Sequence, residues 1–248
     1  MKIKKIISNL LPRRLYNIIG VLFYGNMEYN EDMLITSHTC NFRKRRDFLK
    51  AKYISQKETG FKMNIDWRLH TILWAAKHCS KLEGDFVECG VNQAFLMRAV
   101  VDYVNFNKLD KKLYLLDTYE GIPLDTVMEG EENGHIEDNL YSGTYKKVKQ
   151  SFKDYKNIKI IKGIIPDTLP LVESEKIAFM SIDMNNAKPE IDSMRYFWNK
   201  VVKGGIIILD DYAYSKDYSF QRKEWDKLAK EMNFTILTLA TGQGMIIK

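Results

Sequence analysis

From residue 64 to the C-terminus, short runs rich in Ile and Val alternate with segments whose apolar residues recur at helical spacing. That alternation restricts the chain to an α/β architecture, a mostly parallel sheet covered by helices on both faces. Ile65, Leu69, Ile72, Leu73 and Ala76 mark the first helix, with Gly84 as its expected end. Residues 85–89 read as the first strand, followed by a helix over 92–105, and residues 112–117 and 158–162 read as the second and third strands. Residues 177–183 form the fourth strand and 189–202 the next helix, which Gly204 and Gly205 are expected to stop before a fifth strand over 206–210. A helix over 218–232 precedes two last strands, 234–239 and 245–248, and their tight connection through Gly242 and Gly244 requires antiparallel pairing.

No Pro/Gly/Ser-rich linker or repeat divides the 248 residues, so we expect one domain over 64–248 preceded by a basic helical arm over 1–63. Residues 1–52 hold eleven Lys or Arg against four acids, which places the net charge of +6 in the arm and leaves the remainder close to neutral. A nucleic-acid-binding fold would instead carry its charge along a groove-reading element, so no nucleic-acid partner is expected. The arm suits an anionic lipid surface at most peripherally, or a phosphate-bearing substrate, and is the expected contact of a homodimer or higher oligomer. Its apolar run at 18–24 is too short to span a bilayer, and Arg13 and Arg14 interrupt any signal-peptide pattern. Cys40, Cys79 and Cys89 lack zinc or CxxC spacing and fit free thiols in a reducing cytoplasm.

Acidic residues stand where the expected strands run out: Glu88, Asp117, Asp183, and the pair Asp210 and Asp211. In a parallel sheet all strand C-termini open onto one crevice, so these carboxylates are expected to meet around one ligand. A dinucleotide site would need several glycines in the first turn to bring backbone against a pyrophosphate. The turn here is Glu88, Cys89, Gly90, Val91, Asn92, Gln93, Ala94, with a single glycine and a carboxylate that repels phosphate. S-adenosylmethionine carries a sulfonium and an ammonium and no phosphate, which Glu88 favours electrostatically. Asp117 suits a ribose diol, a feature that alone does not separate this cofactor from NAD.

Over roughly residues 64–248 the chain resembles the macrocin O-methyltransferase family. The matching stretches are residues 84–91 (GDFVECGV), 116–123 (LDTYEGIP), 162–169 (KGIIPDTL), 181–183 (SID) and 204–212 (GGIIILDDY), in order and at these spacings. The resemblance implies a class I methyltransferase (Rossmann-like) sheet with an antiparallel last strand, S-adenosylmethionine as donor, and a divalent metal that helps to methylate a sugar hydroxyl. By position it puts Glu88 and Gly90 by the methionine moiety, Asp117, Thr118 and Tyr119 by the ribose and adenine, and Gly163 and Ile164 at the adenine edge. It makes Asp183, Asp210 and Asp211 the metal ligands, with Asp183 also bordering the cofactor. Carboxylate oxygens suit Mg²⁺, with Mn²⁺ or Fe²⁺ as alternatives. The chain departs from the family at 92–95, where a second glycine is usual, and at 184–189, where an acid commonly follows Asp183.

Methyl transfer requires the attacking hydroxyl to lie in line with the methyl group and to lose its proton. Asp183 is a candidate base. His135 is another, in the polar stretch 120–143, which is long enough to be a lid. The expected acceptor is a sugar or sugar nucleotide. The alternatives are a phenolic or catechol-like acceptor with the same acids, an NAD-binding enzyme, and a non-catalytic membrane-associated scaffold.

Overall fold

The computed structural model describes residues 28–131 and 142–248. A hairpin of β1 (Tyr29–Glu31) and β2 (Leu34–Thr36) leads into α1 (Arg46–Thr59) and α2 (Asp66–Cys79). The central sheet comprises β3 (Asp85–Cys89), β4 (Leu113–Asp117), β5 (Ile158–Lys162), β6 (Ile177–Ile182), β7 (Val201–Leu209), β8 (Leu237–Thr238) and β9 (Gly244–Ile247). Its order is β5-β4-β3-β6-β7-β9-β8, with β9 antiparallel to both neighbours and every other pair parallel. The remaining helices are α3 (Phe95–Tyr103), α4 (Tyr145–Ser151), α5 (Ala187–Phe197) and α6 (Ser219–Met232).

Side-chain alternation along the strands divides the core into two layers. Phe86, Leu113, Leu115, Phe179, Ile206 and Ile208 face Phe48, Leu69, Ile72, Met97 and Val100, from α1, α2 and α3. Val87, Cys89, Leu116, Met180, Ile207 and Leu209 face Met194, Phe197, Trp225 and Leu228, from α5 and α6. Residues 28–63 share the first layer through Tyr29, Phe42, Phe48 and Ala51, so the described part of the N-terminal region is packed into the same core as the strands. Chain order runs outward from β3 through β4 to β5, then returns to β6 on β3's other side. That reversal opens a crevice beyond the C-terminal ends of β3 and β6.

Several boundaries differ from expectation. The first helix ends at Cys79 rather than Gly84, which has φ +107° and lies so close to the chain that a Cβ would sit 2.8 Å from the Lys176 oxygen. The helix expected over 189–202 ends at Phe197, and β7 starts at Val201. Gly204 and Gly205 therefore lie inside β7, at an irregularity in its pairing with β6, and exchange backbone hydrogen bonds with Lys248. All three cysteines are buried free thiols. Among the described residues no helix is long and apolar enough to cross a membrane.

Candidate active site

Backbone hydrogen bonds carry the sheet register past the strand ends and fix the residues that follow. Gly90 N–H donates to Leu116 O (2.9 Å), Gly163 N–H to Asp117 O (3.0 Å), Asp183 N–H to Cys89 O (2.8 Å) and Asp210 N–H to Ile182 O (3.0 Å). Glycine is obligatory at position 90. Its φ is +85°, and a Cβ there would lie 1.9 Å from the Asp183 carbonyl oxygen. Pairing of β3 with β6 sets their ends side by side, and the close approach at Gly90 packs the turn after β3 against the turn after β6. The cavity beside them has a volume of about 500 Å³, within the usual range for small-molecule sites.

Glu88 lines this cavity while 3% exposed, and its Oε2 has no hydrogen-bond partner. Burial, with Asp117 and Asp210 nearby, pushes its carboxyl well above the usual range. The Asn92 Oδ1, also on the cavity wall, is a second buried acceptor without a donor. Two orphan acceptors beside one cavity are the mark of a site built for a ligand that donates or carries positive charge. Asp117 is differently employed. Its Oδ2 accepts from Val91 N–H (2.6 Å) and Asn92 N–H (2.8 Å), and its Oδ1 from Tyr119 N–H (2.5 Å), so it holds the β3 turn in shape as well as bordering the cavity.

Asp183, Asp210 and Asp211 converge as expected: one carboxylate oxygen from each lies within 4.8 Å of the others. Burial, and then mutual repulsion, raise Asp183 well above the usual range and Asp211 to about 7. The donor set is all oxygen and fits a hard divalent ion. Arg68 of α2, which the sequence reading missed, lies among these acids with its side chain 6% exposed. It donates from Nη1 to Asp210 Oδ2, from Nη1 and Nη2 to Asp211 Oδ1 (3.3 Å each), and from Nε to Asp32 Oδ2 (3.1 Å). Its guanidinium stacks 4.0 Å from the Tyr214 ring centroid. Gln243 Nε2 donates to Asp210 Oδ1 (2.8 Å).

Glu88, Gly90, Asp117, Thr118, Gly163, Ile164, Asp183, Asp210 and Asp211 all line the one cavity. Tyr119 is the exception. Its backbone takes a positive φ of 57°, which turns the fully buried ring into the core with its hydroxyl on Leu115 O (3.3 Å), so the ring is not available to a cofactor. His135 lies outside the described residues. Of the described residues that flank it in sequence, Glu131 accepts from Ala187 N–H (2.6 Å) and Met128 N–H (3.1 Å), and Gly143 N–H donates to Tyr119 O (2.8 Å). The departure at 184–189 is also accounted for. Asn186 Nδ2 donates to Thr126 Oγ1 (2.7 Å), and Glu190 accepts from Met184 N–H, Gln221 Nε2 and Trp225 Nε1, fixing the loop after Asp183.

Residues 22–235 match the family model for macrocin O-methyltransferase (TylF). The chain belongs to that family. Membership makes it an O-methyltransferase, and the sheet has the class I methyltransferase topology. Among curated relatives, a demethyldecarbamoylnovobiocin O-methyltransferase of Streptomyces niveus is 25% identical over a match spanning 54% of this chain and 54% of that protein. A mycinamicin III 3''-O-methyltransferase of Micromonospora griseorubida is 21% identical over 85% of this chain and 81% of that protein. The match thus spans about half the length of the novobiocin relative and most of the mycinamicin one. The solved O-methyltransferase NovP superposes with a TM-score of 0.61 at 21% identity, covering 73% of this chain and 79% of that one. The calicheamicin methyltransferase CalS11 gives 0.62 at 12% identity, over 86% and 98%. At these identities the two structures bear on fold alone.

Proposed function

We propose that this enzyme transfers the methyl group of S-adenosylmethionine to a hydroxyl of a sugar, either nucleotide-activated or within a small glycoside, with help from a divalent ion. The observation that carries the proposal is the gathering of Asp183, Asp210 and Asp211 in the same cavity as the orphan carboxylate of Glu88. Glu88 would hold the cationic methionine end of the donor, with Gly90 giving it room. Asp117 and Thr118 would border the ribose, and Gly163 and Ile164 the adenine edge. The donor supplies an electrophilic methyl group.

Asp183, Asp210 and Asp211 would hold the ion, Mg²⁺ by preference. A bound divalent ion would supply Lewis acidity to the acceptor hydroxyl. Asp183 lines the cavity together with Glu88, Asp210 and Asp211 and is the candidate to receive the proton as the C–O bond forms. Tyr214 and Tyr218 line the cavity with these acids and are the candidate walls for the acceptor.

Calorimetric titration with S-adenosylmethionine and with NADH tests the donor. Binding of the first and not the second is expected, and the reverse would contradict the proposal. Chelation and Asp210→Asn should each abolish turnover, and activity that survives both removes the metal from the mechanism.

A further inference from the structure

Arg68 is a cation already resident in the proposed metal site. Four acids surround it, Asp32, Asp210 and Asp211 by direct ion pairs and Asp183 through its field, and Tyr214 covers its face. It sits on the buried stripe of α2 with Ile72, Ala75 and Cys79, so its position is set by the core and not by surface mobility. Both oxygens of Asp210 already accept an N–H, one from Arg68 and one from Gln243, and Asp211 Oδ1 accepts two from Arg68.

We infer that Arg68 is a positioning residue that keeps Asp210 and Asp211 assembled when no metal is bound and competes with a divalent ion for the same oxygens. The inference rests on the metal reading proposed above. Three consequences follow from the geometry. A guanidinium does not lose its proton in a protein, so Arg68 yields those oxygens only by moving or by sharing their second lone pairs. The four acids exceed what one arginine neutralises, so the cluster retains attraction for a second cation. Because the same guanidinium holds Asp32, in the turn between β1 and β2, occupancy of the cluster is linked to how firmly that hairpin is tied over the cavity.

The test measures metal affinity directly. Mn²⁺ uptake is followed by electron paramagnetic resonance of the free ion in full-length wild type, Arg68→Met and Arg68→Lys, without S-adenosylmethionine, and melting temperature is recorded with EDTA and with Mn²⁺. Arg68→Met should bind Mn²⁺ at least about tenfold more tightly than wild type, melt lower in EDTA, and regain more on adding Mn²⁺. Arg68→Lys, which keeps the charge without the fork, should fall between them and serves if the Met variant does not fold. A purely structural arginine would give weaker uptake on removal, the opposite sign. Equal or weaker uptake in folded variants overturns the inference and leaves the metal reading standing. No uptake by any of the three proteins overturns both.

Discussion

Replacing Glu88 by Gln keeps the volume of the buried side chain and removes its charge, and two linked changes should follow. The first concerns the free enzyme. Its carboxyl is held well above the ordinary value of 4.5, so above about pH 4.5 the unfolded chain has released a proton that the folded state retains. Stability of the wild type contributed by Glu88 is therefore complete below that pH and is lost as pH rises through the folded value, and the Gln variant lacks this part of the slope. The second concerns the donor. A sulfonium and ammonium beside Glu88 favour its ionised form, so binding should release a proton and tighten as pH rises. Losing a charge-assisted contact of about 1.5–3 kcal/mol would weaken the donor roughly 10- to 150-fold. Titration calorimetry near neutral pH in two buffers of different ionisation enthalpy reads both affinity and proton release. Affinity within about threefold of wild type, with parallel stability curves, would refute the role given to Glu88.

Other positions give sharper or flatter responses. Gly90→Ala should cost more than about 3 kcal/mol or prevent folding, because a Cβ at 1.9 Å from backbone has nowhere to go; a denaturation midpoint near wild type would contradict the packing of the two loops. Trp225→Phe leaves the Glu190 Oε2 without its 2.8 Å donor and should destabilise by about 2–4 kcal/mol. Glu190 is already raised to about 7, so the loss should grow as pH rises through that value, read by urea unfolding across pH. Arg195→Ala breaks an exposed pair with Glu231 and should change stability by no more than about 0.5 kcal/mol by the same assay.

Much of this arrangement was legible in the sequence because the signals were local. The bounds of β3 and β5 follow from apolar runs flanked by turn residues, and the acids that follow β6 and β7 meet because parallel strands share a C-terminal edge. Gly204 and Gly205 misled because a glycine pair reads as a break, whereas here it lies at an irregularity in the pairing of β7 with β6 and bonds to Lys248. Tyr119 misled because a residue next to Asp117 in sequence turns inward through a left-handed backbone that no neighbour announces. Arg68 had a usable signal: a charge at the position that Ile72 and Cys79 continue along the buried stripe of α2. Its partner Asp32 had none, since a turn aspartate 36 residues away finds it only through the fold.

Methyl transfer from labelled S-adenosylmethionine to a panel of nucleotide sugars, glycosides and phenols, with Mg²⁺ supplied and products read by mass spectrometry, tests the central claim. The account predicts a labelled methyl on a sugar oxygen, lost in Asp183→Asn and Asp210→Asn variants that still bind the donor. Methylation confined to phenols, or sugar methylation undiminished in both variants, would contradict it.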